Sequence, residues 1–219
     1  MQSQYSPKVP KIAVLRLALY AKNLDFLERQ GLEIISSLRL AELCGVNPAQ
    51  IRKDLAYFGQ FGVRGRGYYV KSLLQELHTI LGINRRWTLG LVGAGNLGRA
   101  LLHHAQFARE GFVFSVIFDK DPAKVGTQVG GLLIRHINTL GQWIGNEGSF
   151  DIAMLATGTQ AAQTCTGLLI KYGIRAILNF TPVKLQVPEG VYVEDVDMTL
   201  RLNLLCYRVI TGSEHSLNG

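Results

Sequence analysis

Apolar residues at Ile12, Leu15, Leu19 and Leu24, with Phe26 and Leu27, recur at the spacing of an amphipathic helix, and Gly31 is placed to stop it. A second helix, Leu38 to Cys44, is predicted from the apolar set Leu40, Ala41 and Leu43 behind a capping pair, Ser36-Ser37. Gly45-Val46 makes a short turn, and Asn47-Pro48 then starts a third helix. The asparagine accepts a backbone N–H at the cap, and the proline brings its fixed φ to the first helical position. Gln50 follows three residues later, in the place of a capping-box partner. Ile51, Leu55 and Phe58 share one face of this helix, so Gln50, Arg52, Lys53 and Tyr57 point elsewhere. A helix, a short glycine turn and a basic second helix form a helix-turn-helix pattern.

The next stretch breaks the helical period. Gly59, Gly62, Gly65 and Gly67 put four glycines into nine residues, which no stable helix tolerates. Arg64 and Arg66 alternate with glycine ahead of the β-prone run Tyr68-Tyr69-Val70. The expectation is a hairpin with a basic tip, the wing of a winged helix, whose arginines reach into a narrow groove. An ordinary surface hairpin is the alternative. Lys71 to Leu81 reads as a connecting helix, and Gly82 to Arg86 as a domain junction.

From Trp87 short apolar runs alternate with helical segments. Strands are predicted at Trp87–Val92, Phe112–Phe118, Leu132–His136, Asp151–Ala156, Ala176–Leu178 and Val191–Glu194. Helices are predicted at Leu97–Arg109, Asn138–Gly145, Ala161–Tyr172 and Met198–Ile210. Such alternation implies an α/β domain, a parallel sheet covered on both faces.

Charge sharpens the division. Residues 1–86 carry thirteen Lys and Arg against six acids, while residues 87–219 carry ten of each, so the whole net charge of +7 lies in the first part. That asymmetry suits a polyanion-binding module joined to a neutral one, or simply a soluble basic domain. No apolar run is long enough for a membrane span, and the N-terminal residues lack the apolar core of a signal peptide, which points to the cytoplasm. Cys44, Cys165 and Cys206 are far apart and form no Cys-x-x-Cys pair; they read as reduced, buried thiols and not as metal ligands.

The chemistry centres on Gly93-Ala94-Gly95-Asn96-Leu97-Gly98, which follows a predicted strand and opens a predicted helix. In that context Gly93 permits a tight turn, Gly95 lets backbone approach a pyrophosphate, and Gly98 allows helix to pack closely on strand. The helix start would turn N–H groups toward the phosphates. Asp119 ends the second strand, 21 residues after Gly98. A carboxylate there accepts bonds from ribose hydroxyls and repels a 2′-phosphate, favouring NAD(H) over NADP(H); Lys120 weakens the preference. Thr157-Gly158 and Asn179-Phe180-Thr181-Pro182 follow later strands, where they line the nicotinamide pocket or serve as plain turns. His78, His103, His104, His136 and His215 have no carboxylate or lysine at a catalytic spacing, so a sensor is favoured over a small NAD-dependent oxidoreductase with a basic accessory domain. A coenzyme A-binding domain is the third reading, disfavoured by Asp119.

The combination resembles the Rex family of redox-sensing transcriptional repressors of bacteria. The likeness runs from about Ile12 to Ile210 and rests on Ile51–Gly62, Arg64–Tyr68, Gly93–Gly98, Phe118-Asp119, Lys124–Thr127 with Gly130-Gly131, Ala161–Gln163 and Asn179–Pro182. It implies a winged-helix DNA-binding domain over residues 1–85, a Rossmann-type dinucleotide domain over 86–196, and a C-terminal helix over 197–219 that swaps between subunits of a homodimer. It also implies that the dimer binds an inverted-repeat operator in double-stranded DNA, and that NADH disfavours this binding while NAD⁺ permits it, neither being consumed. Asn47, Gln50, Arg52, Lys53, Tyr57, Arg64, Arg66 and Tyr68 are the candidate DNA contacts. Arg16 and Asp197 match family positions that link the domains. The chain departs from the family pattern at Ala18 (commonly Pro), Thr157-Gly158 (usually Val-Pro) and His104 (commonly Tyr).

Overall fold

The computed structural model describes residues 9–63 and 65–212; Arg64 and His215 lie outside them. The chain forms two compact units, one through Arg85 and one from Arg86 to Gly212.

The first unit holds α1 (Lys11–Arg29), β1 (Ile34–Ile35), α2 (Ser37–Cys44), α3 (Pro48–Ala56), β2 (Tyr68–Tyr69) and α4 (Val70–Leu81). The Ser36 hydroxyl accepts the Arg39 N–H and caps α2, while Asn47 Oδ1 accepts the Gln50 N–H and caps α3. Leu17, Tyr20, Leu24, Leu40, Ile51, Leu55, Leu73 and Leu77 build one core. The buried row of α1 differs from the expected one. Ala13, Leu17, Tyr20, Ala21, Leu24 and Leu27 face inward. Ile12 (53% exposed), Leu15 (55%), Leu19 (38%) and Phe26 (59%) face outward. Both rows have helical spacing; the inward one carries Tyr20, whose hydroxyl reaches a buried acceptor on α3.

The wing is also simpler than expected. β2 pairs antiparallel with β1, not with the residues just before the turn. The turn itself is closed by one bridge, Val63 to Gly67, with mutual N–H to carbonyl bonds of 2.9 and 3.1 Å.

The second unit runs β3 (Trp87–Val92), α5 (Asn96–Leu102), α6 (Ala105–Arg109), β4 (Phe112–Asp119), β5 (Gln128–Val129), β6 (Leu132–His136), α7 (Leu140–Asn146), β7 (Ile152–Leu155), α8 (Thr159–Lys171), β8 (Ala176–Asn179), β9 (Tyr192–Asp195) and α9 (Met198–Thr211). The sheet order is β5-β6-β4-β3-β7-β8-β9, parallel except for the added β5. With β5 set aside this is the doubly wound dinucleotide-binding order, whose direction reverses between β3 and β7. Successive strand residues feed opposite cores, because side chains alternate across a sheet. Val92, Phe118 and Leu155 enter one core with Leu140, Trp143 and Leu169. Their neighbours Leu91, Ile117 and Met154 enter the other.

The helix expected over Leu97–Arg109 is broken at His103 and His104, the latter extended at φ −76°, ψ 95°. The break lets Phe107 turn down onto the sheet, edge-on to Phe114 at 6.1 Å. Tertiary packing thus overrides a continuous helical period. None of the residues of α9 is buried, and Cys206 on it is exposed, contrary to the expectation of three buried thiols; Cys44 and Cys165 are buried.

Candidate dinucleotide cleft and DNA-binding face

The sheet positions a cleft of about 780 Å³ at the C-terminal ends of β3 and β7, where the strand order reverses. It is lined by Gly93 and Gly95, by Asp119 through Pro122 and Lys124, and by Ala156 through Ala161 with Cys165. The glycine turn shows why its residues are glycine. Gly93 has φ +103°, and a Cβ on it would stand 2.5 Å from the Ala156 carbonyl oxygen. A Cβ on Gly98 would stand 2.0 Å from the Gly93 oxygen, so α5 and β3 meet only without one. A Cβ on Gly95 would meet nothing within 4 Å, because it faces the cleft.

Asp119 has a structural task that the sequence did not reveal. Its Oδ2 accepts the Ala94 N–H at 2.7 Å and its Oδ1 accepts the Asp121 N–H at 3.0 Å, so it latches the glycine turn to the end of β4. The Ala94 N–H is therefore spent within the fold. Burial alone would raise the Asp119 pKa, but the N–H groups of Asp121 and Ala94, with the Lys124 ammonium at 3.4 Å, hold it below the ordinary carboxylate range. It stays an ionised acceptor in the wall of the cleft, with Lys120 beside it. Thr157 Oγ1 is buried there with no hydrogen-bond partner among the described residues, a group ready for a ligand hydroxyl or amide.

Asn179-Phe180-Thr181-Pro182 is absent from the cleft lining. Asn179 is fully buried and saturated: its amide donates to the Val183 carbonyl and to Asp195, and its oxygen accepts the N–H and hydroxyl of Thr181. That segment ties β8 to β9 instead of facing the cleft. Ala94, Asn96, Leu97 and Gly98 shape the turn without lining the cleft, whereas Asp121, Pro122, Ile137, Gln160 and Cys165 line it and carried no motif signal. Burial pushes the Cys165 thiol pKa up, against the pull of Lys120.

In the first unit, Arg52, Lys53, Tyr57 and Arg66 are exposed, and Gln50 is half-buried. Arg52 Nη1 donates to the Ser37 hydroxyl at 3.1 Å, steadying its guanidinium between α3 and the start of α2. Tyr68 departs from its expected place: it is 7% exposed and packs in the core, its pKa raised by burial, so its ring supports the wing from beneath. Gln50 also departs; its amide turns forward to Asp54, not back to the cap of α3. Arg16 is occupied within its own unit, where Nε and Nη2 grip Asp54 at 2.6 and 2.7 Å. Asp197 Oδ1 accepts the Thr199 and Leu200 N–H groups and caps α9. His104 lies at the break between α5 and α6, edge-on to Phe107 at 5.1 Å.

A basic winged helix followed by a doubly wound dinucleotide fold defines a ligand-responsive DNA-binding protein. Comparisons with known proteins place it more narrowly. Residues 8–56 match the family described as "Putative DNA-binding protein N-terminus", and residues 84–183 match "CoA binding domain". The chain is 46% identical over 207 residues to "Redox-sensing transcriptional repressor Rex" of Syntrophobacter fumaroxidans, covering 94% of this chain and 98% of that one. Among solved structures, RSP, a Rex-family repressor, in complex with β-NAD⁺ and operator DNA is 34% identical with a TM-score of 0.88, covering 94% of this chain and 95% of that one. Its complex with β-NADH is 32% identical with a TM-score of 0.84, covering 94% and 97%. The chain belongs to the Rex family of redox-sensing transcriptional repressors. These relatives are named as repressors and not as enzymes.

Proposed function

We propose that this protein represses transcription in the cytoplasm as a homodimer that binds an inverted-repeat operator and leaves it when NADH fills the cleft. The observation that carries the reading is the cleft at the β3/β7 reversal, with an open Gly95 and an ionised Asp119, in one chain with a basic helix-turn-helix. Gly95 admits the pyrophosphate, and Asp119 takes the adenosine ribose. Thr157 meets a polar group of the dinucleotide farther along the cleft.

Arg52, Lys53 and Tyr57 on α3 enter the major groove, and Arg66 on the wing follows the backbone or minor groove. The second copy of the chain covers α9, on which Leu200, Leu205, Val209 and Ile210 are more than half exposed. Arg16, His104 and Asp197 take part in relaying cofactor state to the DNA-binding unit. A relay requires that NADH and NAD⁺ bind two dimer geometries with unequal affinity.

The test is titration of NADH and NAD⁺ into a complex of the protein with operator DNA selected from a randomised duplex pool. NADH lowers the operator affinity and NAD⁺ leaves it in place. Equal affinity with either cofactor would leave a DNA-binding protein with some other effector.

A further inference from the structure

One acid on the recognition helix faces no ligand and yet is held by four hydrogen bonds. Asp54 is fully buried. Its Oδ1 accepts Arg16 Nη2 at 2.7 Å and Gln50 Nε2 at 2.7 Å; its Oδ2 accepts Arg16 Nε at 2.6 Å and the Tyr20 hydroxyl at 2.8 Å. A carboxylate offers about four acceptor sites, and four donors fill them. Three anchor it to α1. The fourth is Gln50, one helical turn before Asp54 and half-buried at the edge of the face that carries Arg52 and Lys53.

This arrangement settles which way the Gln50 amide points. An ionised carboxylate only accepts, so the amide meets it with nitrogen, and the flipped amide would set oxygen against oxygen. One N–H is thereby spent on Asp54, which leaves Oε1 and the second N–H of the amide. A neighbouring acceptor and donor of one amide plane are what a glutamine uses on adenine, accepting from N6 and donating to N7. Resting on the operator-binding reading, we propose that Gln50 reads an A·T pair in each half-site and that Asp54 is the positioning residue that holds its amide ready. Arg16 and Tyr20 serve the same end one step back, because they fix Asp54. Burial of one carboxylate of α3 beneath a half-buried arginine of α1 is then a device for orienting one reading side chain.

The test uses the full-length protein and a set of operator duplexes carrying every single base-pair substitution. Gln50→Ala abolishes the preference for A·T at one position per half-site, a loss of roughly 10- to 100-fold in discrimination. Asp54→Asn, checked for folding by circular dichroism, relaxes the same position, and combining it with Gln50→Ala relaxes that position no further. A structural role alone gives a different pattern: Asp54→Asn weakens all duplexes evenly and keeps the A·T preference, which would overturn the proposal.

A measurement on the wild type does not depend on any variant folding. The Gln50 side-chain amide of the free protein gives a rigid NMR signal, and an order parameter below about 0.6 would overturn the proposal. Wild-type protein that binds every duplex equally would overturn the operator reading itself, and this inference with it.

Discussion

A methyl group added at Gly95 separates the stability of the cleft from its ligand binding. The backbone there is extended at φ −76°, ψ −171°, which alanine adopts without strain, and the added Cβ meets nothing within 4 Å. The folded protein therefore loses no contact, and the reduced freedom of the unfolded chain stabilises Gly95→Ala by about 0.4–1 kcal/mol. Binding responds in the opposite direction. On the proposed placement of the pyrophosphate over Gly95, the methyl takes space the ligand would fill, and forcing a methyl into a filled site costs about 1–3 kcal/mol, or roughly 5- to 150-fold in Kd. Gly98→Ala is the contrasting case, because its Cβ stands 2.0 Å from the Gly93 oxygen. Restoring ordinary contact needs about 1.4 Å of separation between α5 and β3, so stability falls by about 3 kcal/mol and NADH affinity falls with it. Urea denaturation and NADH fluorescence titration measure the two quantities. Wild-type NADH affinity in Gly95→Ala would refute the placement of the pyrophosphate over Gly95, and equal destabilisation by both variants would refute the difference in space.

Three further outcomes follow from other parts of the molecule. Tyr20→Phe removes a hydroxyl bonded to the buried Asp54 carboxylate and lowers stability by about 1.5–3 kcal/mol, read from the urea midpoint. Burial alone would raise the Asp54 pKa, but the bonds from Arg16, Tyr20 and Gln50 hold it below the usual range. Its stabilising effect is therefore complete above the unfolded carboxylate value of about 3.9 and is lost as pH falls through the lower folded value. With one donor gone, Tyr20→Phe begins that loss at a higher pH than wild type, and coincident acid-unfolding curves would count against the network. Under the proposed homodimer, Leu205→Asp on α9, 55% exposed in the single chain, leaves each unit folded but shifts sedimentation from dimer to monomer; sedimentation identical to the wild type would count against α9 as the interface. Iodoacetamide at pH 8 spares Cys165 and Cys44 until the protein unfolds, since burial pushes the Cys44 thiol up to about 11; mass spectrometry showing early Cys44 labelling would contradict that burial.

How much of this was legible in the sequence depended on whether a residue type answered one demand or several. Gly93 and Gly98 were legible because only the smallest residue meets a carbonyl at 2.5 or 2.0 Å. Asn47 and Ser36 were legible because capping needs only local geometry. The inward row of α1 was not, since Ile12, Leu15 and Leu19 repeat with the same helical spacing as Ala13, Leu17 and Tyr20, and only the partner helices choose between them. Asn179 reads as a strand-end polar group in either of two roles; its bonds to Thr181 and Val183 are local, but the one to Asp195 depends on β9, which the chain reaches only later.

Asp54 is the sharpest instance. Within Arg52-Lys53-Asp54 it looks like one more charge on a solvated helix, yet it is the buried one, and its partner Arg16 lies 38 residues earlier. A lone carboxylate buried in that core would cost several kcal/mol. The arginine of α1 and the acid of α3 therefore have to be gained or lost together. Sequence periodicity registers which positions face a core, but it does not register which buried charge answers which.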